Sequence, residues 1–380
     1  MADAHEKWMD EALALAVRGA GWVSPNPMVG AVVVKNGVAV GRGWHEKFGG
    51  PHAEVHALLQ AGSDARGATL YCTLEPCNHT GKTPPCTQAV VAAGIATVVL
   101  GARDPNPVAS GGIAVLRAAG IDVIEGIREL ECRRINTAFL KFTQTHTPLV
   151  ALKWAMSLDG RIATSSGDSK WITCESSRAH AHLLRSRYDA VAVGIGTVLA
   201  DNPSLNVRIE NATIRHPRRV IFDTHARTPA SSRLIQVPPG GAMIVASFRA
   251  DADARERMSA LRDAGADVIE VDEDAGGSVS INAALSELGK RGVLSVMVEG
   301  GARLLGAFVD SKLADRVHAF VAPKIIGGEK SLSAISGHGV LRVADALKFI
   351  DGSMTSRPIG EDVLIEGALS EWGWSRDYHI

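Results

Sequence analysis

The chain has 380 residues, 46% hydrophobic and 21% charged, the balance of an ordinary globular protein with room for two domains of roughly 150 to 200 residues each. Forty basic residues against 41 acidic ones leave almost no net charge, and aromatic residues make up only 5%, so a nucleic acid is disfavoured as a partner. Five cysteines, an odd number in a long chain, do not make a disulfide framework and point to reduced thiols in a cytoplasmic setting.

The first twenty residues lack the basic-then-apolar order of a secretory leader, and residues 10–20 carry apolar side chains at helical spacing. A Gly- and Pro-punctuated loop over 21–30 leads into 30-GAVVVKNGVAVGRGW-44, whose central Asn36-Gly37 predicts a two-residue hairpin turn. Helices are then predicted over 52–62, 86–94 and 110–119, alternating with strands over 68–76, 95–102 and 121–126. Alternation of this kind implies an α/β layer with a mostly parallel sheet. The polar stretch 143-TQTHTP-148 marks a boundary, with domains expected at 1–146 and 147–368 and a tail at 369–380. The second domain repeats the α/β pattern, with strand-like runs from 149-LVALKWAMSLDG-160 to 317-VHAFVAPKII-326 and helices predicted over 175–187, 253–264, 281–291 and 301–312. No apolar run reaches the roughly 18 to 20 residues that span a bilayer, so no membrane partner is expected.

Two short stretches carry metal-site chemistry. In 50-GPHAEVHALL-59, His52 and Glu54 stand at a helix start; in 76-PCNHTGKTPPC-86, Cys77 follows a proline and Cys86 opens another helix. One His and two Cys, with a Glu that is not a ligand, is the arrangement of zinc deaminases. Zinc held by three protein ligands keeps a corner open for water and lowers its pKa, and Glu54 would move the protons. Cys86 at a helix N-terminus would be favoured as thiolate. A closed structural site would need a fourth ligand, for which His56, Cys72 and His79 are the candidates. His56 reads better as a helix packing residue, and Cys72, Cys132 and Cys174 as small core residues. Eight residues separate the two cysteines where the usual deaminase form has two. The inserted loop carries Asn78, His79 and Lys82, polar and cationic groups suited to an anionic substrate.

Together, 24-SPNPMVGAVVV-34, 45-HEKFGGPHAEVHAL-58, 71-YCTLEPCNHTGKTPPCTQAV-90, 152-LKWAMSLDGRIAT-164, 194-GIGTVLADNPSLNVR-208 and 298-VEGGARLLGAF-308 resemble the bifunctional riboflavin-biosynthesis deaminase/reductases, from about residue 5 to about 368. The resemblance implies an α/β chain with an N-terminal cytidine-deaminase-like three-layer domain and a C-terminal dihydrofolate-reductase-like domain. It also implies removal of the 2-amino group of 2,5-diamino-6-(5-phosphoribosylamino)pyrimidin-4(3H)-one, then NADPH-dependent reduction of the ribosyl group to ribityl. Carried onto this sequence it gives His52, Cys77 and Cys86 as zinc ligands and Glu54 as proton shuttle, with Asn26, His45, His79, Lys82 and Asn106 lining the deaminase pocket.

For the second domain, two glycines between a strand and a helix at 298-VEGGARLLGAF-308 suit a dinucleotide phosphate, although a plain tight turn would look the same. By resemblance, Gly300, Gly301, Ala302, Arg303, Leu304, Leu305 and Gly306 contact NADPH, joined by Trp171, Thr197, Asp201 and Thr224. Reduction of the sugar needs groups that orient its reacting carbon, for which Lys153 and Asp159 are candidates beside their plainer reading as a strand residue and a turn residue. Ser169, Arg185, Leu205, Arg208 and Glu299 match substrate positions of the family, the arginines suiting a phosphate. A nucleic-acid base deaminase and a zinc-binding regulatory protein are the alternatives. The balanced charge and few aromatics argue against the first, and the presence of Glu54 against the second. A homo-oligomer, dimer or tetramer, is the ordinary expectation for such a chain.

Overall fold

A computed structural model describes residues 2–81, 83–209, 215–237, 241–249 and 251–373. The chain divides into two compact units, the first reaching Thr145 and the second beginning at His146. Lys82 and the last seven residues of the tail lie outside the described residues.

In the first unit, strand β1 (Gly30–Lys35) is buried on both faces, because Ala31 and Val33 point to one side and Val32 and Val34 to the other. Helix α1 (Ala2–Ala16) covers the Val32 side with Met9, Leu13 and Ala16. The Ala31 side is covered by α2 (Ala53–Ala61), α3 (Cys86–Ala92) and α4 (Gly112–Ala118), through Ala57, Val90 and Leu116. The result is three layers around the sheet order β2-β1-β3-β4-β5, with β2 at Val38–Trp44, β3 at Thr69–Leu74, β4 at Thr97–Ala102 and β5 at Asp122–Ile124. Asn36 and Gly37 both take positive φ, 48° and 75°, as a primed hairpin turn requires. This sheet is mixed and not mostly parallel: β1 is antiparallel to both β2 and β3, while β3, β4 and β5 are parallel.

Two glycines set where α2 lies. A Cβ on Gly41 would sit 2.1 Å from the carbonyl oxygen of Ala57, and one on Gly43 would sit 2.3 Å from that of Ala53. The helix therefore rests directly on the backbone of β2, an approach only glycine permits. Two short helices absent from the sequence expectation close the unit, α5 (Glu129–Ile135) and α6 (Thr137–Thr145). In α5 only Cys132 and Ile135 are buried, too few apolar positions to register as a period.

The second unit is built on a nine-stranded sheet. Its strands are β6 (Leu149–Ser157), β8 (Ala190–Gly194), β9 (Arg218–Phe222), β10 (Ala242–Ser247), β11 (Asp267–Val271), β12 (Ser295–Val298), β13 (Arg316–Ala322), β15 (Thr355–Ile359) and β16 (Asp362–Ala368), in the order β11-β10-β9-β8-β12-β6-β13-β16-β15. The seven strands from β11 to β13 are parallel, and β16 and β15 add an antiparallel hairpin. Strands β7 (Arg161–Ala163) and β14 (Leu332–Ser333) form a separate small ribbon. Parallel strands buried on both faces read as unbroken apolar runs, which is why 190-AVAVG-194 and 293-VLSVMVEG-300 stand out in the sequence. One face packs Val150, Leu152, Val220, Val245 and Val298 against Leu285 and Leu288 of α11 (Ile281–Lys290) and Phe308 of α12 (Ala302–Asp310). Helix α7 (Glu175–Arg187) precedes β8, and α8 (Ile195–Asp201) follows it directly, while α9 (Arg233–Gln236) precedes β10 and α10 (Ala252–Asp263) follows it. Of the tail, Leu369 and Ser370 bond Asp315 through Leu369 N to its carbonyl oxygen (2.7 Å) and Ser370 Oγ to its Oδ1 (2.7 Å), and Arg316 Nε donates to the carbonyl of Gly373 at 2.9 Å.

Candidate active sites

His52 caps the start of α2 with extended backbone, Cys77 follows the turn after β3, and Cys86 is the first residue of α3. Three elements packed on one face of the sheet thus deliver three ligand atoms to one point. His52 Nδ1 lies 3.2 Å from Cys86 Sγ and 3.5 Å from Cys77 Sγ, and all three atoms fall within 4.8 Å of one another. Tetrahedral zinc with bonds of about 2.0 Å to nitrogen and 2.3 Å to sulfur needs ligand-to-ligand edges of roughly 3.5 Å, so the trio fits the ion. The backbone N–H of Cys86 points at Cys77 Sγ at 3.5 Å, a donor that supports thiolate charge. Without the ion, a thiol hydrogen bond from Cys86 pushes the Cys77 thiol down, and the same bond together with burial pushes Cys86 up. Metal binding takes both sulfurs as thiolates and releases their protons.

None of the three candidate fourth ligands joins this group. Cys72 is fully buried in the core under α2, His56 packs beside Gly43, and His79 stands at the wall of a neighbouring cavity. That cavity, about 300 Å³, is lined by His52, Cys77, Glu54, Asn26, His45 and Asn106, among others. Glu54 is 3% exposed, and burial pushes its carboxyl up to about 7, with His52 opposing. His45 Nδ1 is 3.1 Å from the carbonyl oxygen of Pro51, which can only accept, so Nδ1 carries the proton and Nε2 accepts from Asn26 Nδ2 at 3.3 Å. The Asn26 oxygen is then the atom left to accept from a ligand. Asn106 is set the other way: its Oδ1 accepts from Val108 N at 3.1 Å, leaving the amide nitrogen as a donor. His79 Nδ1 is buried and has no hydrogen-bond partner among the described residues. Glu75, Asp104 and Phe139 also line the cavity, none of them singled out from the sequence.

A larger cavity of about 1190 Å³ opens in the second unit. It gathers Lys153, Ser169, Trp171, Arg185, Arg208 and Glu299 with the Gly300–Gly301 turn. Glu299, just past the end of β12, takes both oxygens to Arg185, at 2.5 Å from Nε and 2.8 Å from Nη2, and lies 3.7 Å from Lys153 Nζ. Burial alone would raise Glu299, yet Arg185 and Lys153 overcome it and hold the carboxyl at about 2. Burial pushes Lys153 down, against the pull of Glu299. Gly301 takes φ of 82° between β12 and the nine-residue α12, and Thr197 Oγ1 would stand 3.4 Å from a Cβ on Gly300. This glycine turn with an adjacent hydroxyl, opening on a cavity of nucleotide size, fits a dinucleotide. Trp171 is 62% exposed, and Arg178 lies 4.7 Å from its ring centroid.

Of the remaining expected residues Leu305 lines this cleft, and Asp159, Asp201, Leu205, Thr224, Ala302, Arg303, Leu304 and Gly306 do not. Asp159 ties its turn together, accepting from Ser157 Oγ at 2.6 Å, Ile326 N at 3.1 Å and Gly327 N at 2.7 Å. Leu205 is buried with φ of 49°, and Asp201 is exposed at the end of α8. Thr224 Oγ1 accepts from Val279 N at 3.2 Å. On α12, Ala302 accepts from Ser336 N through its carbonyl, Arg303 is exposed and Leu304 faces Gly194. Leu305 is buried at the cavity wall, and Gly306 packs on the carbonyl of Ser336. His180 and His182 line the cavity without having been foreseen.

A three-ligand zinc centre of deaminase type in one unit and a dinucleotide cleft at the ends of parallel strands in the other define a bifunctional deaminase/reductase. The profile described as "Cytidine and deoxycytidylate deaminase zinc-binding region" matches residues 2–102, and that of the "RibD C-terminal domain" matches 148–365. The chain belongs to the RibD family of riboflavin biosynthesis proteins, whose cofactors are zinc and NADPH. It is 42% identical to riboflavin biosynthesis protein RibD of Actinobacillus pleuropneumoniae over 94% of each chain, and 40% identical to that of Escherichia coli over 95% of this chain and 98% of the other. Among solved structures it is similar to a diaminohydroxyphosphoribosylaminopyrimidine deaminase/5-amino-6-(5-phosphoribosylamino)uracil reductase of Thermotoga maritima. That match has a TM-score of 0.83 and 39% identity over 97% of this chain and 99% of that one. It is also similar to Acinetobacter baumannii RibD, with a TM-score of 0.85 and 36% identity over the same shares. No helix of the described residues is long and apolar enough to cross a membrane.

Proposed function

We propose that residues 1–146 remove the 2-amino group of 2,5-diamino-6-(5-phosphoribosylamino)pyrimidin-4(3H)-one and that residues 147–368 reduce the ribosyl group of the product to ribityl. The observation that carries the first assignment is Glu54, 3% exposed, in the cavity beside His52, Cys77 and Cys86. A buried carboxyl beside the metal position can take a proton from water and return it to the leaving amine. Zinc, when bound by the trio, supplies the acidity that makes water a nucleophile near neutral pH. Asn26 holds the pyrimidine by accepting and Asn106 by donating, with the buried Nδ1 of His79 beside them, which suits a ring carrying both amino and carbonyl groups. Lys82, outside the described residues, stays a candidate for the phosphate.

In the second unit, NADPH supplies the hydride when bound. Lys153, held by Glu299 beside the glycine turn, orients the sugar oxygens, and Arg185 fixes Glu299. Arg208 and Ser169 receive the substrate's polar end, and Thr197, Trp171, Gly300, Gly301 and Leu305 bound the cofactor. Five cysteines without disulfides suit the cytoplasm, and we expect a dimer or tetramer.

The test is Glu54→Gln in the full chain, following ammonia release and NADPH oxidation separately. Ammonia release should fall at least about 100-fold, while reduction of supplied deaminated intermediate persists. Ammonia release at the parent rate would remove Glu54 from the mechanism, and loss of both activities would contradict the division of labour.

A further inference from the structure

Glu75 is 6% exposed, sits between β3 and the ligand Cys77, and has no lysine, arginine or histidine paired with it among the described residues. Its carboxylate is spent on the backbone. Oε2 accepts from Asp104 N at 3.2 Å, and Oε1 accepts from Gly111 N at 3.1 Å and Ile113 N at 3.0 Å. All three donors belong to the segment between β4 and the first turn of α4, which carries Asn106. From Asp104 the chain of bonds continues along the loop: Asp104 Oδ1 accepts from Asn106 N at 2.9 Å, and Asn106 Oδ1 in turn accepts from Val108 N. Two further contacts zip this segment to the metal-ligand turn. Asn78 N donates to the carbonyl of Ala109 at 3.0 Å, and Gly112 lies so close to Pro76 that a Cβ there would be 2.0 Å from its carbonyl oxygen.

A buried carboxylate satisfied by neutral amides alone is an expensive way to tie down a loop, since an apolar side chain would avoid its desolvation. What it does provide is a rigid link from the turn that holds Cys77 to the loop that presents the Asn106 amide. From this geometry we infer that Glu75 is a positioning residue of the deaminase site, setting the Asn106 donor against the substrate ring while its own two oxygens stay engaged by backbone N–H groups. The inference rests on the deaminase reading above. A glutamine has one acceptor oxygen, so Glu75→Gln deprives at least one of the three N–H groups of its partner and sets an amide donor against it.

The experiment is steady-state ammonia release by the full chain, zinc-loaded, for the parent, Glu75→Gln, Asn106→Ala and the double variant, with zinc content and reductase rate measured on each. Glu75→Gln should keep parent zinc content and reductase rate, raise KM of deamination about tenfold and leave kcat within about threefold. In the Asn106→Ala background the same change should cost less than about twofold, because its route to substrate is already gone. Unchanged KM, an effect that adds in full to Asn106→Ala, or loss of zinc with collapse of kcat would each overturn the inference. A parent that releases no ammonia would sink the deaminase reading itself, whereas an active parent with an indifferent Glu75→Gln sinks this inference alone. Should Glu75→Gln not fold, amide exchange in the parent decides: Asp104, Gly111 and Ile113 must be protected, and rapid exchange at these three would overturn the role.

Discussion

Arg208 meets both ring nitrogens of His182, its backbone N–H at 3.3 Å from Nδ1 and its Nη2 at 3.1 Å from Nε2. A neutral imidazole has one acceptor nitrogen, so each tautomer satisfies one of these donors, and a protonated ring satisfies neither. Burial first, then the charges of Arg185 and Arg208, push His182 down to about 4. An unfolded chain with an ordinary histidine near 6.5 binds more protons between pH 6.5 and about 4, so stability is full above 6.5 and falls as pH falls through that window. Replacing His182 by Gln should flatten this decline. Urea midpoints of parent and variant between pH 7.5 and 4.5 check it, and parallel curves would contradict it. Glu299 behaves in the same sense at lower pH: its pairing with Arg185 and Lys153 contributes above about 4.5 and is lost as pH falls through about 2.

The position of α2 decides whether His52 and Glu54 arrive together, and β2 sets that position through Gly41 and Gly43. Gly43→Ala places a methyl against the Ala53 carbonyl and must push the helix start outward. We expect a loss of about 1–3 kcal/mol in stability and a sharply reduced zinc content, read by denaturation and by metal analysis. Retention of full zinc would contradict the account of how the site is placed. The hairpin and α2 were legible because Asn36-Gly37 and the run to Gly62 are local signals. The β15–β16 hairpin was not: Pro358 interrupts β15, an edge strand whose exposed residues lack a clean alternation. The metal trio could be read because its chemistry restricts residue type as well as spacing. Glu75 could not, since its donors lie 29, 36 and 38 residues away and are backbone groups, which leave no mark on residue identity.

At the scale of the whole chain, two catalytic units share one polypeptide, and the similarity to bacterial RibD proteins runs through both. Amino-group hydrolysis in one unit yields the molecule whose sugar the other reduces, so the assignment of each supports its neighbour. The hydrolytic half depends on the first unit holding an ion with an open corner. Zinc-edge X-ray absorption on the purified full chain tests this most directly. The account predicts two sulfurs at about 2.3 Å and two lighter atoms at about 2.0 Å, with the outer-shell signature of a single imidazole. A third sulfur or a second imidazole would mean a closed site and would contradict the hydrolytic role.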